Sequence, residues 1–286
     1  MDKAVAYNDR TDTQNIRNIP PHTAFGPFGA RLRYKAQALA LKSEPWEHAL
    51  LDALNYLMFA DQLNYSWNKN FRVLFPDHPQ PLRSMNWELM TESMAIAFVL
   101  GRIDEGVYQG YLTHAVLNQT FQLKLSYEET HRCGLTFMLR LFADWRGDAA
   151  HTWPSYAYDE PIYEAILEQW RVADPEVLKP WLLAACDRHT HQSQVDTETV
   201  FHDFAAFPRT PFEILLLFRL RELEGLKNPR LDHPLMEPPF DQLPMAQGPF
   251  VPDELILGTI ARVRSDWLNF DDVVSLTSIM KFVRPA

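Results

Sequence analysis

The chain has 286 residues, of which 47% are hydrophobic and 22% are charged, and its formal net charge is −10. These values are ordinary for a globular protein of one large domain or two modest ones. The negative charge argues against binding to nucleic-acid phosphates, which needs a basic surface, and it favours attraction of a basic partner.

The use of glycine and proline predicts the fold class. The sequence contains only 10 Gly but 21 Pro. Scarce glycine suits β-hairpin turns poorly, whereas prolines between periodic apolar segments suit helices joined by proline-bearing loops. We therefore expect an all-α protein, an irregular antiparallel bundle of about nine to eleven helices arranged in two halves.

In chain order, a polar and proline-bearing segment comes first, and it predicts an extended N-terminal arm over residues 1–28. Apolar residues at helical spacing then indicate a helical half over residues 29–148. The helices of this half are expected at 30–42, 46–68, 84–100, 104–120 and 126–145. Residues 70–83 are expected as a proline-rich loop, and Ser126 to Glu129 have the pattern of a capping box.

Strong helix signals organise the second half, residues 149–286. Asp159 with Pro161, Asp174 with Pro175, and Thr210 with Pro211 each mark the start of a helix. Pro180 predicts a kink or a late start in the second of these helices, and Gly225 predicts the end of the third.

A long loop and a last helix complete the second half. Residues 227–252 carry seven prolines with large apolar residues between them. We expect this segment to be a loop that wraps the surface of the protein. Pro252 and Asp253 begin the last helix, which is expected to run to about residue 267.

The cellular location is also an expectation from the sequence. The N-terminal run MDKAVAYNDRTDTQ is polar and lacks the features of a signal peptide. No apolar run approaches the ~20 residues that a membrane-spanning helix needs. We expect a cytoplasmic protein without membrane contact, in which Cys133 and Cys186 are buried thiols.

Acidic and aromatic residues are concentrated around the boundary between the two halves. This concentration predicts a face that binds a basic partner, because carboxylates speed association and aromatic side chains supply contact area. The alternative is a solvated helix face whose first-turn acids interact with the helix dipole. The residues assigned to partner contact are Asp144, Asp148, Trp153, Tyr156, Asp159, Glu160 and Glu164.

The run CDRHTHQSQVDTETVFHDF contains residue types that bind metal ions. Cysteine and histidine ligate zinc, and His–Asp pairs occur in metal hydrolases. The spacing is poor, because two histidines two residues apart on a helix point in different directions. A metal-dependent helical hydrolase stays an alternative, centred on Cys186, His189, His191, His202 and Asp203. Our primary expectation is that the chain has no catalytic residue, no metal and no other cofactor.

Short catalytic motifs are missing from the sequence. It contains no G-x-S-x-G, no P-loop, no G-x-G-x-x-G and no H-E-x-x-H. One E-x-x-H is present, Glu128 to His131, but di-iron bundles need two such motifs and two further glutamates. The sequence therefore favours a protein that is not an enzyme.

The chain combines two helical halves and an acidic composition with the runs ILEQWRVADPEVLKPWLLAACDRHTHQ, PFEILLLFRLRELEGL and NPRLDHPLM. Together these features resemble the all-helical immunity proteins of bacterial polymorphic toxin and type VI secretion systems. The resemblance implies a non-catalytic protein that binds a cognate toxin, a basic cytoplasmic nuclease, and blocks its active or substrate-binding surface. An adaptor or chaperone for a secreted effector is a further alternative, and a homodimer stays possible.

Overall fold

A computed structural model of the chain describes residues 1–12, 20–75, 77, 85–118, 132–148, 153, 155–195, 197, 202–204, 206–249 and 251–283. Within these residues the fold is all-α, as predicted, and contains no β-strand. Cys133 and Cys186 are buried free thiols, which confirms the expectation for both. None of the described helices combines the length and the apolar character needed to cross a lipid bilayer.

The helices are named here in chain order. They are α1 (Asp2–Asn8), α2 (His22–Ala40), α3 (Glu47–Leu74), α4 (Trp87–Val99), α5 (Ile103–Leu117), α6 (Cys133–Arg146), α7 (Pro161–Gln169), α8 (Lys179–His191), α9 (Phe212–Leu223), α10 (Glu254–Asp266), α11 (Phe270–Val273) and α12 (Leu276–Met280). Three short 3-10 helices lie at Ser155–Tyr158, Pro175–Val177 and Pro234–Met236.

Several helix ends follow directly from local sequence. The Asp253 side chain accepts a hydrogen bond from the backbone N–H of Ile256 (2.8 Å) and so caps α10. Gly225 follows α9 with a φ of +73°, a left-handed conformation that glycine adopts without a steric penalty. Pro180 lies in the first turn of α8, so that helix starts late instead of kinking. These three predictions are confirmed.

The N-terminal segment is not an extended arm, and this prediction was wrong. Residues 2–8 form α1, and α2 begins at His22, well before residue 30. Ala4 and Tyr7 of α1 are buried, and the Tyr7 hydroxyl donates a hydrogen bond to Asp266 of α10 (2.9 Å). This contact with a helix at the other end of the chain stabilises a segment whose composition alone predicts no helix.

Other boundaries differ from the predicted ones by a few residues. Helix α3 continues to Leu74, into the predicted loop at 70–83, because its apolar face stays in contact with the core. Helix α5 ends at Leu117 rather than near residue 120. The predicted capping box at Ser126 and the E-x-x-H that ends at His131 lie outside the described residues.

One hydrophobic core connects the two halves of the chain. Helix α9 from the second half packs against α4 and α6 from the first half, and α2 packs along α3. Buried residues of both halves, such as Met94 and Leu216, belong to the same cluster. A smaller cluster joins α1, α3 and α10 around Trp267. The boundary near residue 148 therefore does not separate two cores.

Helix α3 carries a half-buried acidic residue, Asp61, on the side that faces α5. Its Oδ2 accepts a hydrogen bond from the Gln109 amide (2.6 Å). Burial raises the pKa of Asp61 from 3.8 to about 7, an effect that the hydrogen bond offsets only in part. Between about pH 4 and pH 7 the folded state keeps a proton that the unfolded state has lost, so stability falls as the pH rises through this range.

We expect Asp61→Asn to be more stable than the parent protein at pH 8, by up to a few kcal/mol, and similar to it near pH 4. Asparagine keeps an acceptor for Gln109 and removes the cost of a charge in a half-buried, partly desolvated position. Urea unfolding at both pH values measures the effect, and the exposed Asp104→Asn serves as the control. A stability difference that does not change with pH would contradict this prediction.

Candidate partner-binding site

A shallow groove of about 260 Å³ lies where the C-terminal end of α6 meets α7. We call it the central groove, and its lining includes Arg140, Asp144, Asp148, Trp153, Tyr158 and Leu167. Three of the residues that the sequence assigns to partner contact therefore line one surface feature. The turn that brings them together is set by Gly147, whose φ of +68° ends α6 in a left-handed conformation.

Arg140 organises one wall of the central groove. Its guanidinium forms a two-pronged ion pair with Glu164 of α7 and donates to the carbonyl of Ala157 (2.6 Å). The same group lies over the ring of Tyr158, 4.2 Å from its centroid. Arg140 thus fixes the 3-10 helix against α6 and α7, because a bidentate guanidinium–carboxylate pair constrains orientation as well as distance.

Two aromatic side chains are available at the groove. Tyr158 is 48% exposed, although the guanidinium of Arg140 covers one face of its ring. Trp153 is half-buried and packs edge to face on the ring of His114, with centroids 5.5 Å apart. Both rings are therefore held in place while part of their surface stays accessible. The sequence interpretation missed Tyr158, although the run YAY at 156–158 signals a cluster of aromatic residues.

The carboxylates assigned to partner contact have internal partners in several cases. Asp144 accepts a hydrogen bond from the Trp170 indole (2.7 Å) and forms an ion pair with Arg171. Glu160 pairs with Arg188, in the same way that Glu164 pairs with Arg140. These ion pairs join helices across the fold and compensate much of the negative charge that the sequence indicates here.

The remaining residues of the predicted face differ in their surroundings. Asp148 accepts a hydrogen bond from the Tyr111 hydroxyl (2.7 Å) and is half-buried. Asp159 is exposed in the segment between the 3-10 helix and α7. Tyr156 belongs to the 3-10 helix Ser155–Tyr158, but its side chain lies outside the described part of the protein.

His189, a member of the alternative metal cluster, lies in α8 and is fully buried. Its Nδ1 lies 2.8 Å from the carboxylate of Glu213, and its Nε2 lies 3.1 Å from the carbonyl of Phe207. The ring also stacks on Phe204, with centroids 4.1 Å apart. Each ring nitrogen therefore faces an acceptor of the protein itself, and neither is open to a metal ion.

The other members of that cluster face different surroundings. Asp203 is buried and accepts hydrogen bonds from Arg188 (2.7 Å) and from the backbone N–H of Gly134 (3.1 Å). Burial raises the pKa of the Cys186 thiol to about 12, so it stays protonated, and His191 is exposed. Over the described ranges, no three His, Cys, Asp or Glu side chains are grouped to hold a metal ion. The arrangement is a polar part of the core.

Comparison with known proteins adds no family to this description. No family model, curated protein or solved structure matches the chain.

Proposed function

We propose that the chain is a non-catalytic immunity protein that binds a cognate antibacterial toxin and covers its active or substrate-binding surface. The observation that supports this proposal is the central groove, in which Trp153 and Tyr158 are accessible but held in place. Partly exposed aromatic residues with fixed orientations are typical of the side chains that dominate binding energy, because little conformational entropy is lost when they bind.

The charge of the chain supports a basic toxin, for which a cytoplasmic nuclease is the proposed identity. A nuclease needs a positively charged surface for its phosphate substrate. A protein with a net charge of −10 attracts such a surface and increases the association rate at low ionic strength. Asp144 and Glu164 form ion pairs that hold the groove in shape, and we assign that role to them. Asp148, which lines the groove, and the exposed Asp159 are assigned to contact with the partner.

Co-expression with neighbouring genes tests the proposal. Each gene adjacent to the gene for this chain is induced in a bacterial host, with and without the chain. We expect one of them to arrest growth and the chain to restore it, with the two proteins forming a stable complex after purification. Failure of every neighbouring gene product either to arrest growth or to bind the chain would count against an immunity function.

Removing the two aromatic side chains is expected to abolish neutralisation. We expect Trp153→Ala combined with Tyr158→Ala to weaken toxin binding by roughly 100-fold or more, because each is placed to act as a binding hot spot. Titration calorimetry with the purified toxin measures this loss. The matched control replaces Tyr34 and Trp181, two exposed aromatic residues outside the groove, with alanine. Thermal unfolding checks that both double variants are folded, and equal affinities would exclude the central groove as the contact.

A further inference from the structure

A second groove, of about 640 Å³, lies between α9 and the proline-rich loop. We call it the loop groove. Large apolar side chains that are mostly buried form its base, and exposed acidic side chains surround them. The apolar residues are Phe218, Leu231, Met236 and Leu243, and the acidic residues are Glu222, Asp232, Glu237 and Asp241.

The loop groove is fixed in shape, although its outer wall has little regular secondary structure. Arg221 of α9 donates to the carbonyl of Lys227 where the loop begins (2.5 Å). Arg219, also of α9, donates to the carbonyl of Pro244 near the end of the loop (2.9 Å). The two arginines thus attach both ends of the loop segment that forms the groove to α9.

The acidic residues of this groove differ from those of the central groove in their ion pairing. Glu222 pairs with Arg219. Asp232, Glu237 and Asp241 form no ion pair within the described ranges of the chain. Among the described residues of the lining, Arg230 is the one arginine or lysine and four side chains are acidic, so the groove carries uncompensated negative charge.

We propose that the loop groove binds an extended segment of the partner that carries arginine or lysine side chains. This inference rests on the proposed function and adds the chemistry of the partner. The aliphatic parts of such side chains pack on the apolar base, while their cationic ends pair with Asp232, Glu237 and Asp241. The volume falls within the ~300–1,000 Å³ that is usual for binding pockets, which is enough for several side chains.

A synthetic peptide tests this inference on the full-length chain. The probe is a fluorescein-labelled octapeptide of alternating leucine and arginine, and the reference replaces each arginine with glutamate. We expect fluorescence anisotropy to show salt-dependent binding of the arginine peptide only. Hydrogen exchange should slow at residues 228–243 when the peptide is bound. No binding, or protection at residues 140–167 instead, would overturn the assignment.

Variants in which carboxylates are replaced by amides distinguish binding at the loop groove from a general effect of net charge. Asp232→Asn, Glu237→Gln and Asp241→Asn together should weaken peptide binding roughly tenfold, because each removes one exposed ion pair. The control set, Glu44→Gln, Asp104→Asn and Glu168→Gln, changes the net charge equally at other exposed positions and should have less than about a twofold effect. Equal weakening in both sets would overturn the proposal, as would displacement of the peptide by an equal concentration of spermidine.

The two proposals fail in different ways. If the loop groove binds no basic segment, the peptide does not bind, while toxin neutralisation still depends on Trp153 and Tyr158. If the immunity function is wrong, no neighbouring toxin is neutralised. The peptide still binds, and its affinity still falls when Asp232, Glu237 and Asp241 are replaced by their amides.

Discussion

Replacing Arg221 with methionine is expected to lower the free energy of unfolding by roughly 3 kcal/mol or more. The Arg221 side chain is fully buried, and its guanidinium donates to the carbonyls of Trp170, Val172 and Lys227. Methionine fills a similar volume but donates no hydrogen bond, so three carbonyls in the interior lose a donor. Each buried polar group without a partner costs about 1–3 kcal/mol.

The position of Arg221 explains why it is tolerated in the core although none of the described carboxylates forms an ion pair with it. It lies in the last turn of α9, where the helix dipole stabilises a cation. Burial lowers the pKa of Arg221, but an arginine stays charged in spite of such a shift. The carbonyls that it contacts belong to the end of α7 and the start of the proline-rich loop. Its loss should therefore weaken two segments at once.

Denaturation with urea measures the loss, and Arg219→Met is the matched control. Arg219 also donates to three carbonyls, those of Phe98, Val99 and Pro244, but it is partly exposed, so water can replace it. We expect Arg219→Met to cost about 1 kcal/mol. Hydrogen exchange at residues 227–244 should accelerate in both variants. A smaller loss for Arg221→Met than for Arg219→Met would contradict the role given to the buried guanidinium.

Features that depend on neighbours in sequence were predictable. Scarce glycine and frequent proline predicted the all-α fold, and Asp174, Gly225 and Asp253 predicted helix ends that the structure confirms. Such signals act within one turn of a helix, so a short window of sequence contains them. The helical structure of α1 was not predictable in this way, because it depends on a hydrogen bond between residues separated by 259 positions.

The same limit applies to the candidate site. Asp144, Asp148 and Trp153 are close in sequence, so their proximity around one groove could be anticipated. The ion pairs around the groove could not be anticipated, because Arg171 reaches Asp144 across 27 positions and Arg140 reaches Glu164 across 24. The loop groove was missed for a related reason, because Phe218 and Glu222 come from α9 and the rest of its lining from a loop with no periodic pattern.

Replacing Glu213 alone with leucine is expected to cost roughly 3–5 kcal/mol, because His189 then keeps a buried polar nitrogen without its acceptor. His189→Leu alone should cost a similar amount, since the Glu213 carboxylate would be left buried and unpaired. Glu213 is 1% exposed and His189 is 0% exposed, so water reaches neither group to replace the lost contact. The double variant should lose less than the sum, because leucine can pack against leucine.

A double-mutant cycle measured by urea unfolding isolates the pair, and we expect a coupling energy of about 2 kcal/mol. His191→Gln, at an exposed position of the same helix, should change stability by less than about 0.5 kcal/mol. Because both nitrogens of His189 face acceptors of the protein itself, a chelator should leave the thermal unfolding of the parent protein unchanged. Additive single effects would contradict the coupling of the pair. Stability that falls when metal is removed would instead support the metal-hydrolase alternative centred on this histidine.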